Sequence, residues 1–358
     1  MSKRGRRIVA SAVFVAGVVA LVVVLTGVFT PHADAKETWA QYRALSPNSL
    51  DVLVVGNSHA FTSFAPMQLW KDARITAWDI GASAINTRMK RAYVEAALET
   101  QRPKVLAVEL YSLQREQVVG DRENSWAYDY MPFGAAKFAA LFDTAAPPRW
   151  ERHVLPLEQY HQNYATLQAK NVGALLGRGT GPSTGGATPL TKVAAEGGDA
   201  AATGGESDAL DTTSSAPATA TALSATLAKA EADSAAEVRR IADICRARHI
   251  RLVLWLSPVE SGFIGAQQSF ARLQSSLAST YPEIVFMDAN TRKAEIGLVA
   301  SDFRDRGHLF AWGMTKYTAW FQRTVLAPLG VTGPSSTPDT KWWNAQARKW
   351  NPPTGPTP

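Results

Sequence analysis

The chain has 358 residues, of which 46% are hydrophobic and 19% charged, so it can bury a substantial core and is not an intrinsically disordered protein. Its formal charge of +6 is concentrated at the two ends. The body between them is nearly neutral, which argues against a nucleic-acid-binding protein. The single cysteine, Cys245, excludes an internal disulfide and any metal site built from several cysteines.

The N-terminus carries a segment long enough to cross a membrane. Residues 8–29 are apolar and uncharged, and as a helix they would be about 33 Å long, which matches the hydrocarbon core. Basic residues precede this run, so the positive-inside rule predicts a cytoplasmic N-terminus and an extracellular body. The alternative is a cleaved signal peptide, because Ala33-Asp34-Ala35 resembles a cleavage site, although the run is long for one. We expect a stub and signal-anchor over 1–30 and a juxtamembrane linker over 31–49.

Short apolar runs and amphipathic runs alternate along the rest of the chain. The alternation predicts an α/β fold whose parallel sheet has helices on both faces. The expected strands are residues 50–55, 74–80, 103–110, 251–258 and 283–289. The expected helices are 84–101, 219–249, 265–279 and the second half of 302–321. We assign residues 50–330 to this domain.

Three segments lack this alternation. Residues 113–170 are aromatic-rich and irregular, as in an insertion or cap over the sheet. Residues 172–218 are rich in Gly, Ala, Ser and Thr, which predicts a disordered surface loop without a core of its own. The tail, 331–358, is rich in Pro, Thr and Trp and is expected to be flexible. Its aromatic and basic residues could contact lipid headgroups or an anionic polymer, or could simply be solvated.

Ser58 directly follows the first predicted strand, within Gly56-Asn57-Ser58-His59. Ligands of parallel sheets collect at the carboxyl ends of the strands. A serine at that place can act as a nucleophile if a base reaches it. The alternative is that Ser58 is only the N-cap of the next helix.

A base for Ser58 can be sought among the six histidines of the chain. Five of them are less well placed for this role: His32, His59, His153, His161 and His249. His308 remains, three residues after Asp305 and just beyond the last predicted strand. Residues three apart in a helical turn share a face. Asp305 could therefore hold Nδ1–H of His308 and leave Nε2 to take the Ser58 proton. On its own, this spacing more often marks a surface ion pair.

Together these motifs resemble the SGNH (GDSL-like) hydrolase superfamily, and within it a membrane-anchored, exported branch associated with acyl transfer onto bacterial cell-envelope polymers. The resemblance spans roughly residues 50–322 and is interrupted by the low-complexity segment. It rests on GNSHA (56–60), IGAS (80–83), QRPKVLAVELYS (101–112), LEQYHQNYATL (157–167) and DFRDRGHLFAWGMTKYT (302–318).

The resemblance implies a flavodoxin-like three-layer α/β/α sandwich around a five-stranded parallel sheet. It implies Ser58 as nucleophile, His308 as base, Asp305 as its orienting acid, and backbone N–H groups of Ser58 and Gly81 as the oxyanion hole. The implied activity is that of a serine esterase or O-acyltransferase without a cofactor, acting on acylated envelope glycans or teichoic-acid-like polyol polymers. A multispanning membrane acyltransferase is the implied partner.

Two positions depart from the superfamily pattern. The third predicted strand ends in Glu109-Leu110-Tyr111-Ser112, without the Asn that serves as an oxyanion donor, and Phe310 occupies a second expected Asn position. One such donor contributes about 3–4 kcal/mol to transition-state stabilisation. The departures keep open an alternative of another class: a catalytically degenerate SGNH fold that binds glycan or an assembly partner.

Four further polar residues are candidates for substrate binding or for support of the triad: Asn57, His59, Asn86 and Glu109. Asn57 either caps the following helix or contacts substrate, and capping is favoured. Glu109 ends a buried strand, where an unpaired carboxylate is costly, so it either pairs with an arginine or faces the cleft. No spacing of His, Asp and Glu indicates a metal site.

Overall fold

The computed structural model of the protein describes residues 2–30, 34–114, 122–143, 151–166, 183–191 and 220–355. These residues form an α/β fold around a five-stranded sheet in the order β2-β1-β3-β4-β5, with all neighbouring strands parallel. The strands are β1 (Val52–Gly56), β2 (Ala77–Gly81), β3 (Val105–Glu109), β4 (Arg251–Leu256) and β5 (Val285–Asp288). The predicted α/β fold with a five-stranded parallel sheet is confirmed.

Fourteen helices are present in the described ranges, several of them a single turn. They are α1 (Lys3–Phe29), α2 (Asp34–Arg43), α3 (Ser58–Phe61), α4 (Pro66–Ala73), α5 (Thr87–Ala97), α6 (Arg122–Tyr130), α7 (Ala135–Asp143), α8 (Glu151–Val154), α9 (Pro156–Tyr160), α10 (Ala220–Arg248), α11 (Ile264–Leu277), α12 (Lys293–Ile296), α13 (Ala311–Phe321) and α14 (Thr340–Lys349). Short 3₁₀ turns follow β3 and β5 at Tyr111–Gln114 and Ala289–Arg292.

The sheet is buried on both faces because successive side chains of each strand enter two different cores. Leu53 and Val55 belong to the core that contains residues of α5, α10 and α11. Val52 and Val54 belong to the opposite core, which contains residues of α4 and α13. Burial on both faces explains why these strands read as continuous apolar runs rather than as alternating ones.

Helix α1 is the one described helix that is long and apolar enough to cross a membrane, and none of its most apolar stretch is buried against the rest of the chain. Its N-terminal side carries the basic residues noted above. The cytoplasmic orientation of that end stays a prediction.

The predicted linker and tail are in fact ordered parts of the domain. Within 31–49, α2 places Trp39 and Tyr42 in the main core. Within 331–358, α14 buries Trp343 completely. The expectation of a flexible tail was wrong because composition alone does not show that these aromatics fill space left by the sheet and its helices.

Part of the predicted disordered loop is also ordered. Residues 183–191 run along the outer edge of the sheet, where Asp79 donates its backbone N–H to the Gly185 carbonyl at 2.8 Å. Thr188 donates to the Phe61 carbonyl at 2.7 Å, and Ala311 to that of Leu190 at 2.8 Å. The prediction of disorder was wrong for residues 183–191. Strand β2 lies at the edge of the sheet, and its backbone N–H and C=O groups can hydrogen-bond to a segment that buries no core of its own. The remainder of 172–218 lies outside the described residues.

Candidate active site

Ser58 begins α3 at the carboxyl end of β1, and its side chain is almost completely buried. The N-cap of this helix is Asn57, whose Oδ1 accepts the backbone N–H of His59 at 3.0 Å. Capping is therefore done by Asn57, as favoured from sequence, and the N-cap alternative for Ser58 is wrong. Ser58 Oγ is left to make a different contact.

That contact is with His308, across 250 positions of sequence. Ser58 Oγ lies 2.9 Å from Nε2 of His308, and Nδ1 of the same ring lies 2.8 Å from Oδ1 of Asp305. A carboxylate can only accept, so Nδ1 carries the proton and Nε2 accepts the serine O–H. The structure brings together the three residues that the sequence singled out, with the imidazole between the hydroxyl and the carboxylate, which is the geometry that a serine triad requires.

Asp305 and His308 lie in a loop, not in the helical turn that their spacing suggested. Asp305 Oδ1 accepts the backbone N–H groups of Gly307 at 2.9 Å and His308 at 3.0 Å, which is a side-chain-closed turn. An antiparallel bridge between Phe303 and Leu309 closes the base of the loop. The expected juxtaposition is correct, but it arises from turn geometry rather than helical periodicity.

Asp305 is held in its ionised form. Partial burial on its own would raise the pKa of this carboxyl, but the hydrogen bond from His308, the electrostatic attraction of that ring and the Gly307 N–H together lower the pKa below its usual value. An ionised acid fixes the His308 tautomer and would stabilise the imidazolium that forms when the ring takes a proton.

His59 supports the loop that carries His308. Its Nδ1–H donates to the Gly307 carbonyl at 2.8 Å, and its ring stacks on that of His308 with centroids 5.1 Å apart. A Cβ on Gly307 would lie 2.9 Å from the His59 ring, so only glycine permits this approach. Of the two roles considered for His59, substrate binding and support of the triad, these contacts favour support, because they position the loop that carries His308.

Glu109 is fully buried at the end of β3 and does not open into a cleft. Its Oε2 pairs with the Lys90 ammonium at 3.0 Å, so the expected arginine partner is wrong and the partner is a lysine. Lys90 also donates to the Glu109 carbonyl at 2.7 Å. Oε2 is 3.4 Å from the Asn57 backbone nitrogen, and Oε1 accepts the Tyr111 N–H. The pair therefore braces the turn that presents Ser58.

Asn86 and Gly81 lie where β2 leads into α5. Asn86 caps α5 by accepting the Met89 N–H at 3.0 Å, so its carbonyl oxygen is engaged in the helix. Gly81 pairs in register with Gly56 and packs against the end of β1. The backbone N–H of Ser58 donates to no acceptor within the described residues, which leaves it available to a developing oxyanion.

Lys90 and Asp79 are buried ionisable residues that were not among the candidates from sequence. Asp79 lies within β2, and neither of its carboxylate oxygens accepts a hydrogen bond from any described residue. Burial, with a further contribution from the charge of Glu109, raises its pKa well above the ordinary value. Asp79 could have been noticed in the sequence as an acidic residue inside an apolar strand. A carboxyl buried in such a strand needs either a cationic partner, as Glu109 has, or a bound proton.

The residues described in the structure include no group of three or more His, Cys, Asp or Glu side chains that could hold a metal ion. No protein-family model matches the chain, and no curated protein matches its sequence. Its chemistry therefore has to be argued from the arrangement of Ser58, His308 and Asp305.

Proposed function

We propose that this protein is an SGNH-type serine esterase or O-acyltransferase with the corresponding three-layer fold. The observation that carries the proposal is the continuous hydrogen-bonded chain from Ser58 Oγ through His308 to Asp305. The chain lies at the carboxyl edge of a parallel sheet, which is where such folds place their reacting groups.

The first half-reaction forms an acyl-enzyme. His308 Nε2 takes the Ser58 proton as Oγ attacks the acyl carbonyl, and Asp305 stabilises the resulting imidazolium. Backbone N–H groups of Ser58 and Gly81 donate to the tetrahedral oxyanion. Collapse breaks the ester bond, the leaving alcohol takes the proton from His308, and the acyl group stays on Ser58.

The second half-reaction returns the enzyme to its starting state. His308 removes a proton from water or from a sugar or polyol hydroxyl, and the new oxygen nucleophile attacks the acyl-serine. The ester bond to Ser58 Oγ then breaks, the acyl group leaves on the new oxygen, and Oγ takes the proton back from His308. Water gives net hydrolysis, whereas an acceptor hydroxyl gives acyl transfer. The preference between them depends on how well water is kept from the acyl-enzyme.

The proposed setting is the outer face of a cell membrane. Helix α1 would anchor the chain with its basic end inside, and the catalytic domain would face the envelope. The proposed substrates are acyl groups on envelope glycans or teichoic-acid-like polymers, and a multispanning acyltransferase would supply acyl groups from the membrane. These assignments rest on the sequence resemblance and on the presence of α1.

The two departures from the superfamily pattern are compatible with catalysis. Phe310 stacks on Trp312, and its backbone N–H donates to the Asp302 carbonyl at 2.8 Å, so the loop is closed without an asparagine. At the end of β3, Glu109 and Lys90 brace the nucleophile turn. An intact triad favours the enzyme over the degenerate binding protein.

The test uses the full chain in a non-ionic detergent with a chromogenic acetyl ester and a fluorophosphonate probe. We expect the parent to hydrolyse the ester and to be labelled on Ser58, and Ser58→Ala to lose both by a factor of about 10³ or more. Ser63→Ala is the matched control, because Ser63 is also buried and its hydroxyl bonds to no described residue. A parent that the probe does not label, or a Ser58→Ala variant with parental activity, would refute the proposed nucleophile.

A further inference from the structure

A recess of about 560 Å³ lies where α14 packs against α4. Helix α4 leads into the amino end of β2, so this recess is at the opposite end of the sheet from Ser58. The residues that line it and bear on its chemistry are Lys71, Arg74, Asn344, Arg348, Trp350 and Asn351.

The lining of this recess offers hydrogen-bond donors and positive charge. Three of its residues are cations, and none is acidic. The side chain of Arg348 makes no hydrogen bond or ion pair within the described ranges. Asn344 uses its Oδ1 to accept from Trp70 Nε1 at 3.0 Å and from Arg74 at 2.7 Å, which leaves its amide N–H groups for a ligand. A lining with three cations, no acidic side chain and further N–H donors is suited to an anion.

Two of the cations are held in place before any ligand arrives. The Arg74 guanidinium lies over the Trp70 ring, 5.5 Å from its centroid, and Lys71 donates to the Trp350 carbonyl at 3.3 Å. The neighbouring acid, Asp72, accepts from Gln68 at 2.8 and 2.9 Å instead of neutralising these cations. The structure thus fixes like charges around one concave space, an arrangement that a bound anion would stabilise.

We propose that this recess binds a single anionic group, a phosphate or a carboxylate. Arginine presents parallel N–H donors that fit either group, and the ammonium of Lys71 adds a point charge. A recess of this volume fits a discrete group better than it fits the flat surface of a bilayer. The site is separate from the triad and does not depend on the proposed acyl chemistry.

The test is calorimetric titration of the full chain in a non-ionic detergent with inorganic phosphate, glycerol 1-phosphate and glucuronate. We expect saturable binding that Arg348→Gln weakens roughly tenfold or more, because hydrogen bonds to charged groups are strong. Lys349→Gln removes an equal charge from the next residue, which does not line the recess, and should weaken binding by less than about twofold. Tighter binding of the phosphate compounds or of glucuronate distinguishes the two anionic groups.

Three outcomes would overturn this site. One is the absence of saturable binding with all three probes. Another is an equal loss in the Arg348 and Lys349 variants, which would indicate diffuse surface charge. The third is loss of binding in Ser58→Ala, which would place the anion at the triad instead. Arg348 is exposed, so an unchanged thermal midpoint of its variant is expected and checks that the fold is retained.

Discussion

The buried pair of Lys90 and Glu109 gives the sharpest quantitative prediction. Both side chains have no exposed surface, and the ammonium donates its hydrogen bonds to Glu109 alone among the described residues. Replacing Lys90 by Met would leave the carboxylate buried without a cation. Breaking such a pair from one side destabilises a protein by about 3–5 kcal/mol. For a large domain this lowers the thermal midpoint by roughly 6–20 °C.

The pair can be distinguished from two independent contributions by a double-mutant cycle. Lys90→Met and Glu109→Gln should each be strongly destabilising, since each leaves the other residue buried without its counter-charge. The double variant leaves neither charge buried without its partner. Its loss of unfolding free energy should therefore be smaller than the sum of the two single losses by about 2 kcal/mol or more. Thermal unfolding of the full chain, followed by tryptophan fluorescence, measures all four proteins.

A surface pair provides the matched control. Lys229 and Asp233 face each other one helical turn apart in α10, with 76% and 36% of their side chains exposed. The same cycle there should give a coupling of no more than about 0.5 kcal/mol. If the losses of unfolding free energy in the two single variants added up to the loss in the double variant within about 0.5 kcal/mol, the two charges would not stabilise each other.

Three further predictions follow from the site and the core. Asp305→Asn should lower kcat for a chromogenic ester by about 10³–10⁴ at an unchanged thermal midpoint, because the amide no longer fixes the His308 tautomer; a small loss would remove Asp305 from the mechanism. The raised pKa of Asp79 means that the folded state keeps a proton that the unfolded chain releases near pH 3.8. The contribution of Asp79 to stability should therefore fall as pH rises above that value, by up to about 1.4 kcal/mol per pH unit, until the folded carboxyl also ionises. Asp79→Asn removes this slope, so its stability relative to the parent should rise as the pH is increased above about 4; a constant difference in thermal midpoint would contradict the assignment. Trp343→Ala should cost about 3–5 kcal/mol in unfolding experiments, and the half-buried neighbour Trp342→Ala clearly less; equal losses would argue against a buried tail.

The strands and the triad were predictable because each leaves a local mark in the sequence. β1 and β3 are apolar runs that end at Gly56 and Glu109, where side chains reach the edge of the sheet. Ser58 follows the first of these ends directly, and His308 stands close after the last strand with an acid three residues before it. These features depend on a few neighbouring residues, so a single sequence is enough to find them.

The ordered tail, the edge segment and the partner of Glu109 depend on distant residues. Trp343 is buried by Trp70 and Trp78, which are hundreds of positions earlier in the chain. Residues 183–191 are held by a hydrogen bond to β2. Lys90 looks like any helix-surface lysine until α5 is seen above the end of β3. The composition of a segment shows how much apolar surface the segment can bury by itself. It does not show how much of that surface is buried by other parts of the chain.

The packing of the C-terminal segment has a consequence for the order in which the protein matures. Asp339 accepts the hydroxyl and the backbone N–H of Ser46, both at 2.8 Å, across 293 positions. Contacts of such long range form late, because a large loop has to close before they contribute. A chain that emerges from a ribosome or a translocation channel N-terminus first would therefore stay incompletely folded until Asp339 has been released. His308 would also be among the late arrivals, so an unfinished chain would carry Ser58 without its base.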